Sequence, residues 1–172
     1  MPRAPAILHR AALPTPLGDF LAHFSAEGLA RLDFPAPHNR RSADPAAPLS
    51  APFRTWVAQS QAALHAALAG KSPSPPPPLP PLDLSGGTKF RLRVWAELGR
   101  LARGETRSYG EIAEELGKRK AARAVGGACG ANPIPVLIPC HRVLAANGSL
   151  GGFSGGLEWK RRLLAIEGVL LT

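Results

Sequence analysis

Apolar residues alternate with polar ones in two short stretches near the start of the chain. Phe20, Ala22 and Phe24 fall on one side of an extended backbone, and Ala30, Leu32 and Phe34 repeat the pattern after a turn at Glu27-Gly28. A β-hairpin is predicted, with a third strand from the apolar run around Ile7-Leu8. Residues 35–52, rich in Pro, Ala, Ser and Arg, keep no period and predict a long loop. From Phe53 to Ala69 the spacing of Phe53, Trp56, Val57, Leu64 and Leu68 becomes helical, with Ser50 and Pro52 as start signals and Gly70 as a stop. An aromatic on such a stripe usually belongs to the core, so Trp56 is assigned there.

The run Ser72 to Pro81 holds seven prolines, which excludes a helix or an interior strand and predicts an extended linker. Sixteen of the nineteen prolines precede residue 85, and fifteen of the eighteen glycines follow it. The change of character places a domain boundary near residue 84, giving domains 1–84, with a Pro-rich linker over about 72–84, and 85–172.

Beyond the boundary the pattern is helical. Phe90, Val94, Trp95, Leu98 and Leu101 mark a buried face over Lys89 to Leu101. Ser108-Tyr109-Gly110-Glu111 reads as a capping box that opens a short helix with Ile112, Ala113 and Leu116 inward, ended by Gly117. After a basic turn, a second helix runs from Ala121 to Cys129 with Ala121, Ala124, Val125 and Ala128 on its inner side. Two short helices about a tight turn form a helix-turn-helix candidate. A last helix is predicted from Leu157 to Ile166, and Asn147-Gly148 between apolar flanks signals a hairpin. The fold class is α+β: a small N-terminal α/β domain with an antiparallel sheet, then a mainly helical domain.

The outer surface of the second helix is low. Ala122, Gly126 and Gly127 leave Arg123 as the one long side chain, although paired glycines disfavour a helix. Close approach to a nucleic-acid groove, with Arg123 pairing a phosphate or entering the base stack, explains that surface. Tight helix–helix packing with Arg123 in solvent explains it equally.

Charge changes the weighting. The net charge is +9, and residues 1–84 carry seven Lys/Arg against five Asp/Glu while residues 85–172 carry fourteen against seven. The helix-turn-helix half is thus the basic one, as for a polyanionic partner. No apolar run approaches the roughly 20 residues that span a bilayer, and no signal peptide is expected. Two cysteines, Cys129 and Cys140, are too few for a disulfide scaffold; free thiols and a cytoplasmic location are predicted.

The candidate chemistry sits at Ile138-Pro139-Cys140-His141-Arg142-Val143, a Cys-His pair in a segment stiffened by Pro133, Pro135 and Pro139. A thiol needs a base or cation nearby to react as thiolate. Glu167, in the last turn of the final helix, opposes the helix dipole with Leu163 and Leu164 as its helical neighbours, and so requires a partner elsewhere. A Cys140-His141-Glu167 relay is one solution, with a bridging water to carry the proton because adjacent backbone positions need not bring the Cys140 and His141 side chains into contact; a solvated Glu167 is the other. The glycine-rich stretch 151–156 lacks the ending of a nucleotide-binding loop and suits a flexible pocket wall.

Ile138-Pro139-Cys140-His141-Arg142-Val143-Leu144, together with Lys120-Ala121-Ala122-Arg123-Ala124-Val125-Gly126, Asn132-Pro133 and Ser108-Tyr109-Gly110, resembles the catalytic domain of the O6-alkylguanine-DNA alkyltransferases, also called methylated-DNA–protein-cysteine methyltransferases. The resemblance runs from about Thr88 to Val169, and Pro16-Leu17-Gly18 with the hairpin after it is more weakly similar to that family's N-terminal domain. It implies a winged-helix-like second domain that enters the minor groove of double-stranded DNA, with Ala122, Gly126 and Gly127 against the groove. Arg123 would fill the gap left by a flipped nucleotide, and Tyr109 would help rotate its phosphate and protonate the leaving guanine. Cys140 would take the alkyl group from O6-alkylguanine irreversibly, with O4-alkylthymine a second candidate substrate, while His141 relays the proton to Glu167. Asn132 would stabilise the turn, and backbone groups of Cys140, Val143 and Ser154 would recognise the guanine edge. Phe153 stands where a tyrosine is common, keeping a ring against the base without its hydroxyl. The resemblance implies no cofactor, and because residues 1–84 contain no cysteine, no metal is expected. A monomer acting once per molecule is predicted; the alternatives are a non-catalytic damage-recognition or regulatory DNA-binding protein and a Cys-His hydrolase.

Overall fold

The computed structural model describes residues 3–37, 39–44, 50–71 and 73–170. They fall into two compact units, 1–86 and 87–172.

The first unit is built on an antiparallel sheet of β1 (His9–Leu13), β2 (Phe20–Phe24) and β3 (Leu29–Asp33), in that order. Ala11 pairs with Ala22 and Ala22 with Leu32, so one face presents small and apolar groups in register. Phe20, Phe24, Leu29 and Leu32 are buried on it together with Leu64 from α2 (Ala51–Leu68). The first strand starts at His9; Ile7 and Leu8, the residues predicted to form it, are exposed. Two residues of hydrophobicity were a weaker signal than the five backbone pairings available to His9–Leu13. A one-turn helix α1 (Asn39–Ser42) interrupts the predicted loop, held by the Asn39 side chain, which donates to the carbonyls of Asp19 and Phe34 at 2.6 and 3.0 Å. Residues 45–49 of that loop lie outside the described residues. Trp56, assigned to the core, is half-buried and meets Phe53 edge-on, with ring centroids 5.4 Å apart.

The Pro-rich stretch does more than link, although Ser72 lies outside the described residues. Its end runs beside β3: Leu29 donates to the Pro81 carbonyl at 2.8 Å and Asp83 donates back to Leu29 at 2.9 Å. Prolines lack an N–H, but their carbonyls still accept, so an edge position suits them. Gly28 (φ +145°) permits the approach, because a Cβ there would lie 2.1 Å from the Pro81 oxygen.

The second unit starts with α3 (Lys89–Leu98), capped by Thr88, whose hydroxyl accepts from the Arg91 amide. It ends three residues earlier than predicted, and Leu101 is still buried beyond it. Trp95 donates from Nε1 to the Ala128 carbonyl at 2.9 Å and ties α3 to the end of α5 (Ala122–Gly130). Before α5 comes α4 (Tyr109–Glu115), opened by the predicted capping box: the Ser108 hydroxyl accepts from Glu111 N at 3.1 Å and Glu111 accepts from Ser108 N at 2.6 Å. Gly117 (φ +70°) ends the helix, and α4 packs against α5 as a helix-turn-helix. Ala124, predicted inward, is exposed; Val125, Ala128 and Cys129 form the buried stripe, one residue further round the helix.

Two very short strands carry the functional geometry. β4 (Arg107–Ser108) pairs in parallel with β5 (Val143–Leu144), Arg107 opposite Val143 and Ser108 opposite Leu144. The residue after β4 is Tyr109 and the residues before β5 are Cys140, His141 and Arg142, which form one 3-10 turn. Asn147-Gly148 makes a turn closed by Ala145 N donating to the Ser149 carbonyl at 2.8 Å, but among the described residues no strand follows it, and β5 pairs with β4 alone. The chain closes with α6 (Leu157–Ile166).

Candidate active site

The site grows from a strained turn. Asn132, buried, accepts from Ile134 N at 3.0 Å and donates from Nδ2 to the Ile138 carbonyl at 2.8 Å. This clamp closes residues 134–138, within which Val136 sits at φ 74°, a conformation costly for a β-branched residue. The same Nδ2 donates to Sγ of Cys140 at 3.1 Å. Cys140 is 3% exposed, and burial pushes its thiol above the usual 9.0, opposed by the Asn132 hydrogen bond and the charge of Lys160. At neutral pH the resting group is therefore a thiol, and reaction requires a base to take its proton.

His141, also buried, is next in the chain. Its Nε2 lies 3.0 Å from Oε1 of Glu167, the C-cap of α6. Its Nδ1 is buried without a hydrogen-bond partner among the described residues. Because a carboxylate only accepts, the contact places the ring proton on Nε2 and leaves Nδ1 a free lone pair. Burial lowers the imidazole below its usual 6.5, opposed by Glu167 and assisted by the positive charges of Arg142 and Lys160.

Glu167 has more partners than the helix-dipole argument asked for. Arg142 meets it as a fork, Nη2 to Oε1 at 2.7 Å and Nε to Oε2 at 2.9 Å, and Gly104 N donates to Oε2 at 3.1 Å. The buried carboxyl is costly as an anion, but hydrogen bonds from His141 and Arg142 outweigh that and hold it far below the usual carboxylate range. Arg142 also donates from Nη1 to the Leu101 carbonyl at 2.5 Å.

Tyr109 forms the facing wall. It is half-buried; burial, and then the negative charge of Cys129 and Cys140 when they ionise, raises its phenol above the usual 10.0, so it keeps its proton at neutral pH. Gly151 (φ +63°) lies against the ring, where a Cβ would stand 2.8 Å from the phenol oxygen. Lys160, fully buried, lies 6.0 Å over the ring and donates from Nζ to the Val143 carbonyl at 2.6 Å and to the Leu150 carbonyl.

The structure thus brings Cys140, His141, Glu167, Asn132, Tyr109 and Val143 into one unit. Phe153 is half-buried and Ser154 exposed on the loop before α6. On α5, Arg123 is exposed, Ala122 half-buried, Gly126 under the Tyr109 ring, and Gly127 open, with nothing within 4 Å of where its Cβ would be. Sequence reasoning missed Arg142 and Lys160. Lys160 had a signal: it shares the inward i, i+3, i+4 stripe of α6 with Leu163 and Leu164, where a solvated lysine does not belong. Cys129 is buried and pushed up to about 12, an unreactive packing thiol. Among the described residues no group of three or more His, Cys, Asp or Glu stands where it would hold a metal ion, and no helix is long and apolar enough to cross a membrane.

Fold and site define a class: a helix-turn-helix unit that buries a cysteine beside a histidine–glutamate pair. A family profile described as "6-O-methylguanine DNA methyltransferase, DNA binding domain" matches residues 89–169. The crystal structure of Mycobacterium tuberculosis OGT in complex with DNA superposes with a TM-score of 0.74 at 36% identity, covering 94% of this chain and 93% of that one. The methylated-DNA–protein-cysteine methyltransferase of Mycolicibacterium paratuberculosis is 57% identical over 86 residues, and that of Shigella flexneri 48% identical over 87. Those two matches cover 50% and 51% of this chain, and the chain spans about half the length of the curated relatives it matches, 52% and 51%. The chain belongs to the O6-methylguanine-DNA methyltransferase family.

Proposed function

We propose that this protein repairs DNA by transferring the alkyl group of O6-alkylguanine irreversibly to its own Cys140, once per molecule. The observation that carries the reading is the buried Cys140 thiol, held by Asn132 and followed by a histidine whose Nδ1 is free and whose Nε2 is fixed by Glu167. In this reading the basic half of the chain, 85–172, is the DNA-binding and alkyl-acceptor domain, and 1–84 a separate N-terminal domain.

The helix-turn-helix approaches the minor groove of double-stranded DNA through the low surface of Ala122, Gly126 and Gly127, and exposed Arg123 occupies the place of the flipped nucleotide. The base enters between Tyr109, Phe153 and the Val143–Ser154 wall. His141 takes the proton from Cys140 through a bridging water, and sulfur attacks the alkyl carbon. The C–O6 bond breaks, and guanine leaves with a proton from Tyr109. The carbon–sulfur bond of a thioether resists hydrolysis at neutral pH, so the thiol is consumed. The same chemistry admits O4-alkylthymine, uses no cofactor, and asks only for a monomer in the cytoplasm. A recognition protein without chemistry is not favoured, because the acceptor thiol is in place.

Intact-protein mass spectrometry after incubation with DNA carrying O6-methylguanine tests this. One added methyl on Cys140 is expected, and none in Cys140→Ala. Repeated turnover, or transfer by the alanine variant, would sink the proposal.

A further inference from the structure

We propose that Arg142 is a positioning residue of this site: its guanidinium holds Glu167 as a permanent carboxylate, so that the proton released by Cys140 stops on His141 instead of passing to Glu167. The assignment rests on the reading of Cys140 as an alkyl acceptor and says how its proton is handled.

The donor count around Glu167 carries the argument. Oε1 accepts from His141 Nε2 at 3.0 Å, from Arg142 Nη2 at 2.7 Å and from Arg142 Nε at 3.2 Å. Oε2 accepts from Arg142 Nε at 2.9 Å and from Gly104 N at 3.1 Å. Both oxygens have their lone-pair directions filled by N–H donors. A proton added to either would point at an existing donor, break a charge-assisted hydrogen bond, and leave the guanidinium facing a neutral group in a site where the Glu167 side chain is only 3% exposed. Glu167 is built to remain an anion. The Arg142 fork is itself fixed from behind, since Nη1 donates to the Leu101 carbonyl at 2.5 Å, so the 3-10 turn, the 101–104 turn and the end of α6 are locked together. Arg103 reinforces the last link by donating to the Ile166 carbonyl at 2.8 Å.

An anion that cannot rotate away fixes the tautomer of its histidine. With Oε1 as acceptor, the ring carries its proton on Nε2, and the free Nδ1 is the base. A bridging water carries the proton, since Nδ1 has no hydrogen-bond partner among the described residues: the Cys140 S–H bond breaks and an N–H bond forms on Nδ1, giving thiolate and imidazolium beside an unchanged carboxylate. Sulfur then takes the alkyl carbon, the C–O6 electron pair leaves on guanine with a proton from Tyr109, and the imidazolium proton goes to water, from which Tyr109 regains one. The charges facing the imidazolium are Glu167, which favours it, and Arg142 and Lys160, which oppose it. Arg142 therefore orients the base through Glu167 and at the same time keeps the imidazolium short-lived.

The experiment combines NMR, the ring-nitrogen shifts of His141 and the carboxyl-carbon shift of Glu167, with the rate at which iodoacetamide alkylates Cys140, read by peptide mass. Wild type is expected to show Nε2 protonated and Nδ1 bare, and the Glu167 carboxyl to stay ionised after alkylation. Arg142→Met is expected to give mixed tautomers and alkylation at least about tenfold slower at neutral pH, a part of the roughly 100- to 10,000-fold that a positioned base contributes, since His141 is misoriented and not removed. Arg142→Lys keeps the charge but cannot span both oxygens, so it should fall between the two; it decides the question if the methionine variant does not fold. A wild-type tautomer and rate in either variant, or a protonated Glu167 in the alkylated protein, would overturn the assignment. Both readouts are made without DNA. If wild type fails to take a methyl from DNA, the proposed function falls while the tautomer result stands.

Discussion

Asn132 and Cys140 share one amide group. Nδ2 gives one hydrogen to the Ile138 carbonyl at 2.8 Å and the other to Sγ of Cys140 at 3.1 Å, so the residue that closes the turn also touches the reacting atom. Structure and chemistry cannot be separated at this side chain. Asn132→Ala leaves the buried Ile134 N–H without its acceptor, and a loss of about 1–3 kcal/mol in stability is expected by urea unfolding. The same change removes a hydrogen bond that favours the thiolate, so the pH at which iodoacetamide alkylates Cys140 at half its maximal rate should move up. A variant destabilised but with an unmoved profile would confine Asn132 to the turn.

Lys160 makes a parallel case through charge. Burial pulls its ammonium below the usual 10.5, yet it holds the Val143 and Leu150 carbonyls at the two ends of the Ala145–Ser149 turn and faces the thiol. Lys160→Met keeps the length and removes the charge. The thiol of Cys140, already raised by burial, should rise further, because the positive charge of Lys160 favours the thiolate. The alkylation profile is expected to shift to higher pH without loss of the maximal rate. A fall in the maximal rate at unchanged midpoint would assign Lys160 to the pocket wall alone.

The sheet, the helix-turn-helix and the cysteine site were legible because each rests on local patterns. Alternation at Phe20–Phe24, the Ser108–Glu111 box and the Cys140-His141 dipeptide each lie within a few residues. What was not legible depends on pairing between distant segments. The first strand could not be located from Ile7-Leu8, because its extent is set by what β2 offers. The parallel contact of Arg107–Ser108 with Val143–Leu144 joins segments more than thirty residues apart, and neither is long enough to show a period. Glu167 was inferred to need a partner because its own helix supplied none. Local sequence named the deficit, and only the tertiary fold showed that Arg142 shares it with His141.

Acid should find this site early. A carboxyl held below its usual value contributes stability that is complete above about 4.5 and is lost as pH falls below it, because the unfolded chain binds the proton first. His141 acts in the same direction from a higher pH: its folded form is held neutral, so below 6.5 the unfolded chain gains protons that the folded one refuses. Stability by urea unfolding is therefore expected to decline from pH 6.5 downward and to steepen below 4.5. Asp33, Asp44 and Asp83 are also held low and share the second slope, so the contribution of this site is read as a difference. Glu167→Gln should be less stable than wild type at pH 7, and the gap should narrow as pH falls below 4.5. A constant gap would mean that Glu167 stabilises by shape and not by charge.

Arg123 separates recognition of DNA from the chemistry. It is exposed on α5, one turn before Gly126 and Gly127, and is remote in role from the Cys140 cluster, where the charges facing His141 are those of Glu167, Arg142 and Lys160. If it replaces a flipped nucleotide, its removal taxes only substrates that must be extruded from a duplex. Unstacking a base costs a few kcal/mol, so losing the side chain that fills the gap should slow methyl transfer from duplex DNA by about tenfold or more. Transfer of the benzyl group from free O6-benzylguanine, which needs no extrusion, should stay within about twofold of wild type, since no hydrogen bond of the Cys140, His141 and Glu167 cluster involves Arg123. Single-turnover rates on the two substrates give the comparison directly. Equal loss on both would move Arg123 into the support of the active site, and no loss on either would leave it a solvated cation of the basic half.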